Sequence, residues 1–307
     1  MYKTFDPSKL DIKTNYHLLI SGIIPRPIAF VTTQDQYGNY NLAPFSFYNG
    51  FSANPPIIGF SPALSGRTGA PKDTLLNVRD VPEFTVSLVT STMTEQMAMA
   101  SSAYDRDVDE FIKSGLTKRE SQIVKPPHVH ESPFIMECKL WDIIEMGGLP
   151  AGGNLILGEV VMFHVHEDVY SGERIDPHKL DAVSRLGYSW YSRANDGLFE
   201  LKRPSGNGIG FDNLPQFLLE SNSLTGSELS RLASCVDIPE MEGLCEQTGG
   251  TVECLSDCDE GEDCEAVCYL ACVCSDVSQE FDILEGCIEH TDETGSETSS
   301  VTRMPVA

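Results

Sequence analysis

Residues 65–74, SGRTGAPKDT, bring hydroxyls, glycines and two cations together within ten positions. The hydroxyls belong to Ser65, Thr68 and Thr74, and the cations are Arg67 and Lys72. Backbone N–H groups at glycines, hydroxyls and cations are the groups with which proteins hold phosphate. An ordinary surface loop with two solvated bases would have the same composition, so the loop by itself leaves both interpretations open.

Two His-x-His pairs are the next residues with metal-binding potential: His128 with His130, and His164 with His166. Residues two apart on a strand share a face, so each pair could offer two imidazoles to one ion. The alternative is that all four are ordinary polar or pH-sensitive groups on strands. We favour the alternative and predict no metal site, because no third ligand occurs at a matching spacing.

The elements that must position these residues are predicted to be mainly strands. Residues 17–33 are apolar and β-branched, with Pro25 and Pro27 confined to the entry of the strand, and residues 40–52 form a second run before the Asn-Pro-Pro break. Longer β-branched runs cover residues 133–146 and 154–170. Because no helix-length crossover separates each strand from the next, the pattern predicts antiparallel pairing. A mostly β protein with a few helices, closing into a barrel, is the simplest interpretation.

The chain of 307 residues is 41% hydrophobic and carries a formal net charge of −25. The hydrophobic fraction supports a real core and excludes disorder throughout. The acidic balance excludes duplex nucleic acid as an electrostatic partner, since phosphate binding needs a basic surface.

Charge and cysteine divide the chain near residue 240. Residues 241–307 hold 17 acidic residues and one basic residue, a balance of −16, and eight of the ten cysteines. This tail could be a metal-binding or disulfide-linked appendage. We favour a flexible, disordered acidic extension, because the tail contains no Cys-x-x-Cys pair. The predicted domains are therefore a body over residues 1–240 and a Cys-rich tail over 241–307.

The body has the composition of a protein from a reducing compartment. Cys138 and Cys235 are its only cysteines, and sparse thiols are typical of reducing compartments. No apolar run approaches the ~20 residues that span a bilayer, and the first residues lack a signal-peptide core. The sequence thus predicts a cytoplasmic protein without a membrane partner.

Several segments, in order, resemble the flavin reductase family with the FMN-binding split-barrel fold. They are SGIIPRPIAFVTT, NLAPFSFYNGFSANPP, KDTLLNVRDVPEFTVSLV, the stretch from VDEFIKSG to MECKL, and GEVVMFHVHEDV. SRLGYSWY and LPQFLLESNSLTGSELSRLAS are similar to the long-chain branch, which includes the nitrilotriacetate-monooxygenase reductase component and flavoredoxin-like proteins. The resemblance covers residues 15–238 and implies a homodimer of six- to eight-stranded split barrels that bind FMN near the subunit interface.

The resemblance also implies a set of cofactor-binding residues. The phosphate would be held by the 65–74 loop, and the isoalloxazine ring would lie along the backbone of residues 43–47. The full implied set is Arg26, Thr32, Ala43, Pro44, Phe45, Ser46, Phe47, Asn49, Ser65, Arg67, Lys72, Asp73 and Thr74. Backbone N–H groups and a cation near the ring would favour the reduced flavin, which carries negative charge. No catalytic side chain is expected, because hydride transfer needs alignment of two rings rather than a protein nucleophile.

The substrate side of the site departs from the family pattern at one position. Several relatives carry Gly-Asp-His before the strand at residue 154, whereas this chain has Asn154 in AGGNLILGEV. Arg185, Tyr188 and Tyr191 could close over flavin or substrate, and a packing role for the tyrosines is an equal alternative.

The function that these observations predict is NAD(P)H-dependent flavin reduction, or flavin-mediated reduction of a small molecule. A partner monooxygenase would then use the reduced flavin. The alternative is a flavoredoxin-like electron-transfer protein without a nicotinamide site of its own, and Asn154 is the feature that favours it.

Overall fold

A computed structural model describes residues 1–201, 206, 208–222 and 224–235. The predicted tail over residues 241–307, including its cysteines, lies outside the described residues. The chain divides into two compact units, Met1–Phe199 and Glu200–Ala307. None of the helices within the described ranges has the length and apolarity that crossing a bilayer requires.

Strands and helices are numbered here in chain order. The strands are β1 (Ala29–Gln34), β2 (Tyr40–Phe45), β3 (Tyr48–Ala53), β4 (Pro56–Phe60), β5 (Glu83–Leu88), β6 (Lys118–Arg119), β7 (His128–Val129), β8 (Phe134–Glu145), β9 (Asn154–Val165), β10 (Tyr170–Ser171), β11 (Arg174–Ile175), β12 (Val183–Arg185) and β13 (Tyr191–Arg193). The helices are α1 (Ile12–Gly22), α2 (Asp73–Asp80), α3 (Thr94–Ala100), α4 (Glu110–Ser114), α5 (Pro177–Leu180), α6 (Gln216–Glu220) and α7 (Gly226–Ala233).

The first unit is built on one seven-stranded sheet in the order β2-β1-β5-β8-β9-β4-β3. Every neighbouring pair is antiparallel, as the sequence predicted. The two edge strands, β2 and β3, are consecutive in the chain and are joined only by Ser46 and Phe47. Such a link holds its flanking Cα atoms no more than about 11 Å apart. The sheet must therefore curl until its edges meet at one end, which makes an incompletely closed barrel.

Two hydrophobic clusters pack in the first unit. One cluster contains Phe60, Phe84 and Ile156 and includes Leu75 and Val78 of α2. The other cluster packs residues of β1 and β2 against α3, α4 and β7. Because α2 buries one face in the first cluster, its N-terminus is held in a fixed place beside β1 and β2.

The second unit has a small core of its own around α6 and α7. Leu218 and Leu232 are fully buried there. Thr225 and Glu228 form a reciprocal capping box at the start of α7, which fixes where this helix begins.

The strand predicted over residues 17–33 is wrong in its first half. Residues 12–22 form α1, which begins at Asp11, whose carboxylate accepts a hydrogen bond of 2.6 Å from the N–H of Thr14. An aspartate N-cap directs the following apolar residues into a helix, and Pro25 and Pro27 then delay the strand to Ala29. The run over residues 40–52 is likewise two strands rather than one, with the turn at Ser46 and Phe47.

Candidate functional site

The 65–74 loop folds back on itself through backbone hydrogen bonds. Ser65 N donates to the Ala70 carbonyl at 2.8 Å, and Gly69 N donates to the Ser65 carbonyl at 2.8 Å. Gly69 has a φ of +71°, a conformation that glycine adopts without strain. The Ser65 hydroxyl oxygen accepts from Thr68 N at 3.2 Å. These bonds fix a compact loop that leads directly into α2.

The N-terminus of α2 is open. Lys72 occupies the N-cap position, and no side chain caps the first turn. The first N–H groups of a helix have no partner within the helix, and the dipole makes that end positive. This end can therefore hold an anion.

A buried polar network lies under this helix end. Thr74 Oγ1 donates to Asn41 Oδ1 at 3.5 Å, and Asn77 Nδ2 donates to Thr33 Oγ1 at 3.1 Å. The Nδ2 group of Asn41 is buried without a partner among the described residues, and Asn41 as a whole is 7% exposed. A buried donor left unsatisfied costs about 1–3 kcal/mol. A ligand at the helix end could satisfy it.

The charges around the loop are positive. Arg67 and Lys72 are exposed and, in the part of the chain that the structure describes, form no salt bridge. The carboxylate of Asp73 is neutralised by Arg106, whose Nη1 lies 2.9 Å from Asp73 Oδ1. Two unpaired cations and one neutralised carboxylate make this corner attractive to anions although the chain is strongly acidic.

The predicted ring-binding segment, Ala43 to Phe47, runs from the edge strand β2 into the link. The N–H of Leu42 points away from β1, because it donates to Glu110 Oε2 at 2.9 Å. Burial raises the pKa of Glu110. By the two-residue alternation of a strand, the backbone of Pro44 also points away from β1. Pro44 has no N–H to leave unpaired, so it suits an edge strand.

An apolar groove of about 290 Å³ opens beside the link, and its polar side chains include Asn49 and Ser61. The lining residues are Phe47, Tyr48, Asn49, Phe51, Gly59, Ser61, Met146 and Leu155. Asn49 is exposed, and its side-chain oxygen accepts from Gly50 N at 2.9 Å. Tyr48 faces the barrel core, where burial raises the pKa of its phenol. The groove can take a flat, mainly apolar group.

Arg26 ties the link to other segments and is only 4% exposed. Its Nη1 donates to the carbonyls of Ile20 at 2.5 Å and Ile23 at 2.6 Å, and its Nη2 to that of Leu186 at 3.0 Å. Its Nε donates to Ser46 Oγ at 3.3 Å. Burial lowers the pKa of Arg26 below that of a free arginine. Most of its donors are therefore used to hold the protein together.

Thr32 lies in β1, fully buried, and its hydroxyl has no partner among the described residues. It pairs with Leu42 in the sheet register, and therefore shares a face with Leu42 rather than with Asn41. The assignment of Thr32 to the flavin wall stays a prediction.

The three residues predicted on the substrate side lie in two places. Asn154 begins β9, is 3% exposed, and donates from Nδ2 to the Pro62 carbonyl at 3.0 Å. Arg185 and Tyr188 lie across from Arg26, where the Tyr188 ring stacks on His17 at 4.8 Å between centroids. Asn154 is thus engaged in a structural bond, whereas Arg185 is paired with Arg26, whose side chain reaches Ser46 of the link.

The model of the flavin reductase like domain matches residues 21–180, which is more than half of the chain. The chain belongs to this family. Membership assigns it to the flavin-related oxidoreductases and confirms the predicted family.

Similar proteins and solved structures match about two thirds of the chain. An uncharacterized protein of Halalkalibacterium halodurans is 39% identical over 205 residues, which is 65% of this chain and 96% of the relative. The crystal structure of nitrilotriacetate monooxygenase component B from Bacillus cereus is similar at 34% identity and a TM-score of 0.62, over 66% of this chain and 99% of that one. A putative flavin reductase with a split barrel domain from Shewanella frigidimarina aligns at 27% identity and a TM-score of 0.57, over 66% and 99% of the two chains. The split-barrel fold class is confirmed.

The histidines of this flavin reductase-like chain are arranged differently from the sequence pairs. His128 and His164 stack on each other at 5.4 Å, one from each pair. His164 Nε2 lies 2.7 Å from Glu137 Oε1. Within the described residues, no three His, Cys, Asp or Glu side chains are grouped so that they could hold a metal ion.

Sequence reasoning missed Arg106 and His17. Arg106 reaches Asp73 across 33 positions of the chain, and a cation so distant gives no signal in a local motif. His17 lay in a stretch assigned to a strand, so its stacking on Tyr188 could not be foreseen.

Proposed function

We propose that this chain binds FMN, reduces it with NAD(P)H, and supplies the reduced flavin to a partner monooxygenase or to a small-molecule acceptor. The observation that carries the proposal is the uncapped N-terminus of α2, which lies beside the unpartnered Nδ2 of Asn41 and follows directly on Lys72. The cysteine-poor composition of residues 1–240 supports a cytoplasmic location, as for other reducing compartments.

The residues present fit a phosphate. The open end of α2 supplies N–H groups and a positive dipole, and Lys72 and Arg67 supply charge. The unpartnered Nδ2 of Asn41 lies beside Thr74 and would gain a hydrogen bond. The Asp73 side chain does not oppose an anion, because Arg106 neutralises it.

The link and groove fit the ring. When bound, FMN would supply the two-electron chemistry, which is a property of the cofactor. The outward backbone of Pro44 would meet the polar edge of the ring, and the apolar groove would exclude water from its hydrocarbon part. The positive charge of Arg26 would favour negative charge on the ring. The role of the chain is then to bind, orient and keep water away.

The partner is proposed from a relative. Nitrilotriacetate monooxygenase component B is, by its name, one component of a monooxygenase. A reductase component has to release reduced flavin, and an open groove beside an edge strand allows release.

A second candidate is an electron carrier that has no nicotinamide site. The observation that favours it is Asn154, whose amide is buried in a bond to Pro62 and offers nothing to a nicotinamide. Anaerobic mixing of the full chain with FMN and then with NADH or NADPH separates the candidates. Loss of the visible absorbance of oxidised flavin with either nucleotide supports the reductase, and loss only with dithionite supports the carrier.

The phosphate assignment is tested with Lys72→Ala combined with Thr74→Ala. We expect FMN binding to weaken by about 1.5–3 kcal/mol, the value of a charge-assisted hydrogen bond. Riboflavin, which lacks the phosphate, should bind the variant and the parent equally in fluorescence titrations. Lys179→Ala removes an exposed lysine elsewhere and is the matched control. Unchanged FMN affinity in the double variant would place the phosphate elsewhere.

A further inference from the structure

Two arginines lie side by side without a carboxylate. Arg26 N donates to the Arg185 carbonyl at 2.9 Å, and Arg185 N donates to the Arg26 carbonyl at 2.8 Å. Directly opposed residues of an antiparallel bridge project to the same side. Neither guanidinium forms a salt bridge with any described residue. Two adjacent cations without a carboxylate partner among the described residues can attract an anion, although the chain has a net charge of −25.

The two guanidiniums differ in the donors that they have left. Arg26 donates to Ser46 and to three carbonyls. Arg185 donates from Nη2 to the carbonyl of Tyr188 and lies 4.3 Å from the ring centroid of Tyr191. A guanidinium has five N–H groups, so Arg185 keeps most of its donors. Arg26 therefore contributes charge, and Arg185 contributes the hydrogen-bonding fork.

The turn after Arg185 presents an aromatic ring in a strained conformation. Tyr188 has a φ of +53°, a left-handed conformation that is strained for a residue other than glycine. The turn packs tightly on α1, because a Cβ on Gly187 would lie 2.9 Å from Ser21 Oγ. Tyr188 is nevertheless 59% exposed. Such strain is concentrated at ligand sites.

The rings of His17 and Tyr188 pack against each other and together form an aromatic surface. The His17 ring stacks on that of Tyr188 at 4.8 Å and 20°. Its Nδ1 is buried without a partner among the described residues. The surface also borders the proposed flavin site, because the Arg26 guanidinium contacts Ser46 and lies 6.0 Å from the ring centroid of Phe47.

We propose that Arg185, Arg26, Tyr188 and His17 form a subsite for a planar ring compound that carries a carboxylate, as the second substrate at the flavin. A carboxylate matches the planar fork of a guanidinium in two parallel hydrogen bonds. A flat ring attached to it would stack on the exposed aromatic surface. The inference rests on the proposed function and names the substrate class of the same site.

The test uses the full chain loaded with FMN and three probes. Benzoate is planar and anionic, cyclohexanecarboxylate is anionic but not planar, and benzamide is planar but neutral. We expect saturable benzoate binding by calorimetry and affinities at least about tenfold weaker for the other two, which corresponds to one charge-assisted or stacking contact. Equal affinities for the three probes would overturn the proposal.

Variants locate the subsite. Arg185→Gln should weaken benzoate binding at least about tenfold, Arg185→Lys should weaken it less, and Tyr188→Leu should remove the preference for the planar probe. Arg174→Gln, which removes an exposed arginine elsewhere, is the matched control. Thermal unfolding confirms that each variant is folded, and Arg185→Lys keeps the test informative if Arg185→Gln is not. Benzoate binding that is unaffected by Arg185→Gln would overturn the proposal.

Two further measurements distinguish the ring-carboxylate subsite from a nucleotide site and from a failure of the proposed function. Inorganic pyrophosphate tests for a nucleotide site, and tighter binding of pyrophosphate than of benzoate at Arg185 would overturn the ring-carboxylate assignment. FMN affinity is measured in the same samples. Absence of FMN binding would refute the proposed function. In that case, benzoate binding to the FMN-free chain that still depends on Arg185 would support the subsite.

Discussion

The fully buried carboxylate of Glu137 holds a loop in place by accepting hydrogen bonds from the backbone N–H groups of that loop. Its oxygens accept from the N–H groups of Gln122 at 2.7 Å, Ile123 at 2.6 Å and Val124 at 3.0 Å, and from His164 at 2.7 Å. Burial alone would raise the pKa of Glu137, but these hydrogen bonds outweigh it and lower the pKa. The ionised carboxylate is therefore the form on which this loop depends.

Glu137→Gln should lower the free energy of unfolding by about 3 kcal/mol or more, the cost of breaking a buried charged cluster. A carboxyl with a lowered native pKa stabilises the fold above its unfolded pKa of about 4.3. That contribution is lost as the pH falls through the native pKa, because the unfolded chain binds more protons. Urea unfolding between neutral and acidic pH should show this loss in the parent but not in the variant.

His128 provides a contrast in a different pH range. Burial lowers its pKa, so the unfolded histidine takes up a proton first as the pH falls below about 6.5. The resulting loss of stability should disappear in His128→Gln and persist in Glu137→Gln. If the free energy of unfolding depended on pH in the same way in His128→Gln and Glu137→Gln, the two losses of stability could not be assigned to these two residues.

At the level of elements, the long strands are predictable from the sequence and the segments beside the site are not. The β-branched runs that became β8 and β9 are long enough to exclude other interpretations. Residues 12–22 are less apolar than these runs, and their helix is decided by the Asp11 cap and by Arg26, which binds the carbonyls of Ile20 and Ile23. A cation that reaches back to a helix end leaves no periodic signal.

The same limit applies to the candidate site. The 65–74 loop stands out in the sequence as a candidate phosphate site because its groups are contiguous in the chain. The pairing of Asp73 with Arg106 and the juxtaposition of Arg26 with Arg185 depend on contacts between distant segments. Local motifs identify a binding loop, whereas the charge balance around it requires the fold.

Close packing in the core leaves no room for a side chain at Gly158 in β9. A Cβ on Gly158 in β9 would overlap the Phe84 ring and lie 3.4 Å from the Cβ of Cys138. Gly158→Ala should therefore destabilise the protein by about 1–3 kcal/mol, as overpacking of a core does. Gly50→Ala in β3 is the matched control, since nothing lies within 4 Å of its Cβ position. Urea unfolding of both variants measures the difference, and equal stabilities would contradict this account.

At the scale of the whole molecule, α1 carries an exposed apolar stripe at helical spacing. Ile12 is 56% exposed, Tyr16 49%, Leu19 50% and Ile23 55%. Contiguous apolar surface of this kind is typical of an interaction site. We predict that the stripe belongs to the interface of a homodimer.

Light scattering on the full chain should give twice the mass of the sequence. Leu19→Lys should shift the chain toward monomer, because a buried lysine opposes association. Ile112→Lys changes an isolated exposed residue of α4 and should leave the mass unchanged. A monomeric parent at micromolar concentration would contradict the prediction.

Removal of residues 241–307 should leave FMN affinity and turnover nearly intact. The predicted cofactor residues all precede this segment, which carries −16 of the charge. Its repulsion of anionic FMN is long-range but screened beyond about 8 Å at physiological ionic strength. Stopped-flow binding should therefore show a small rise in on-rate that fades with added salt. A truncated chain that binds FMN but has lost its activity would show that the tail takes part in the reaction.

The link at Ser46 and Phe47 also has a consequence for the order in which the strands can pair during synthesis. The hairpins β1-β2 and β3-β4 form from neighbouring residues, but β1 must wait for β5, and β4 must wait for β9. On a ribosome, the two edges of the future site emerge early and stay unsupported until residue 165 has been synthesised. Such long-range pairings form late and leave strand edges exposed. A nascent chain that stops before β9 should therefore be unable to retain flavin, which makes cofactor capture a late event in biosynthesis.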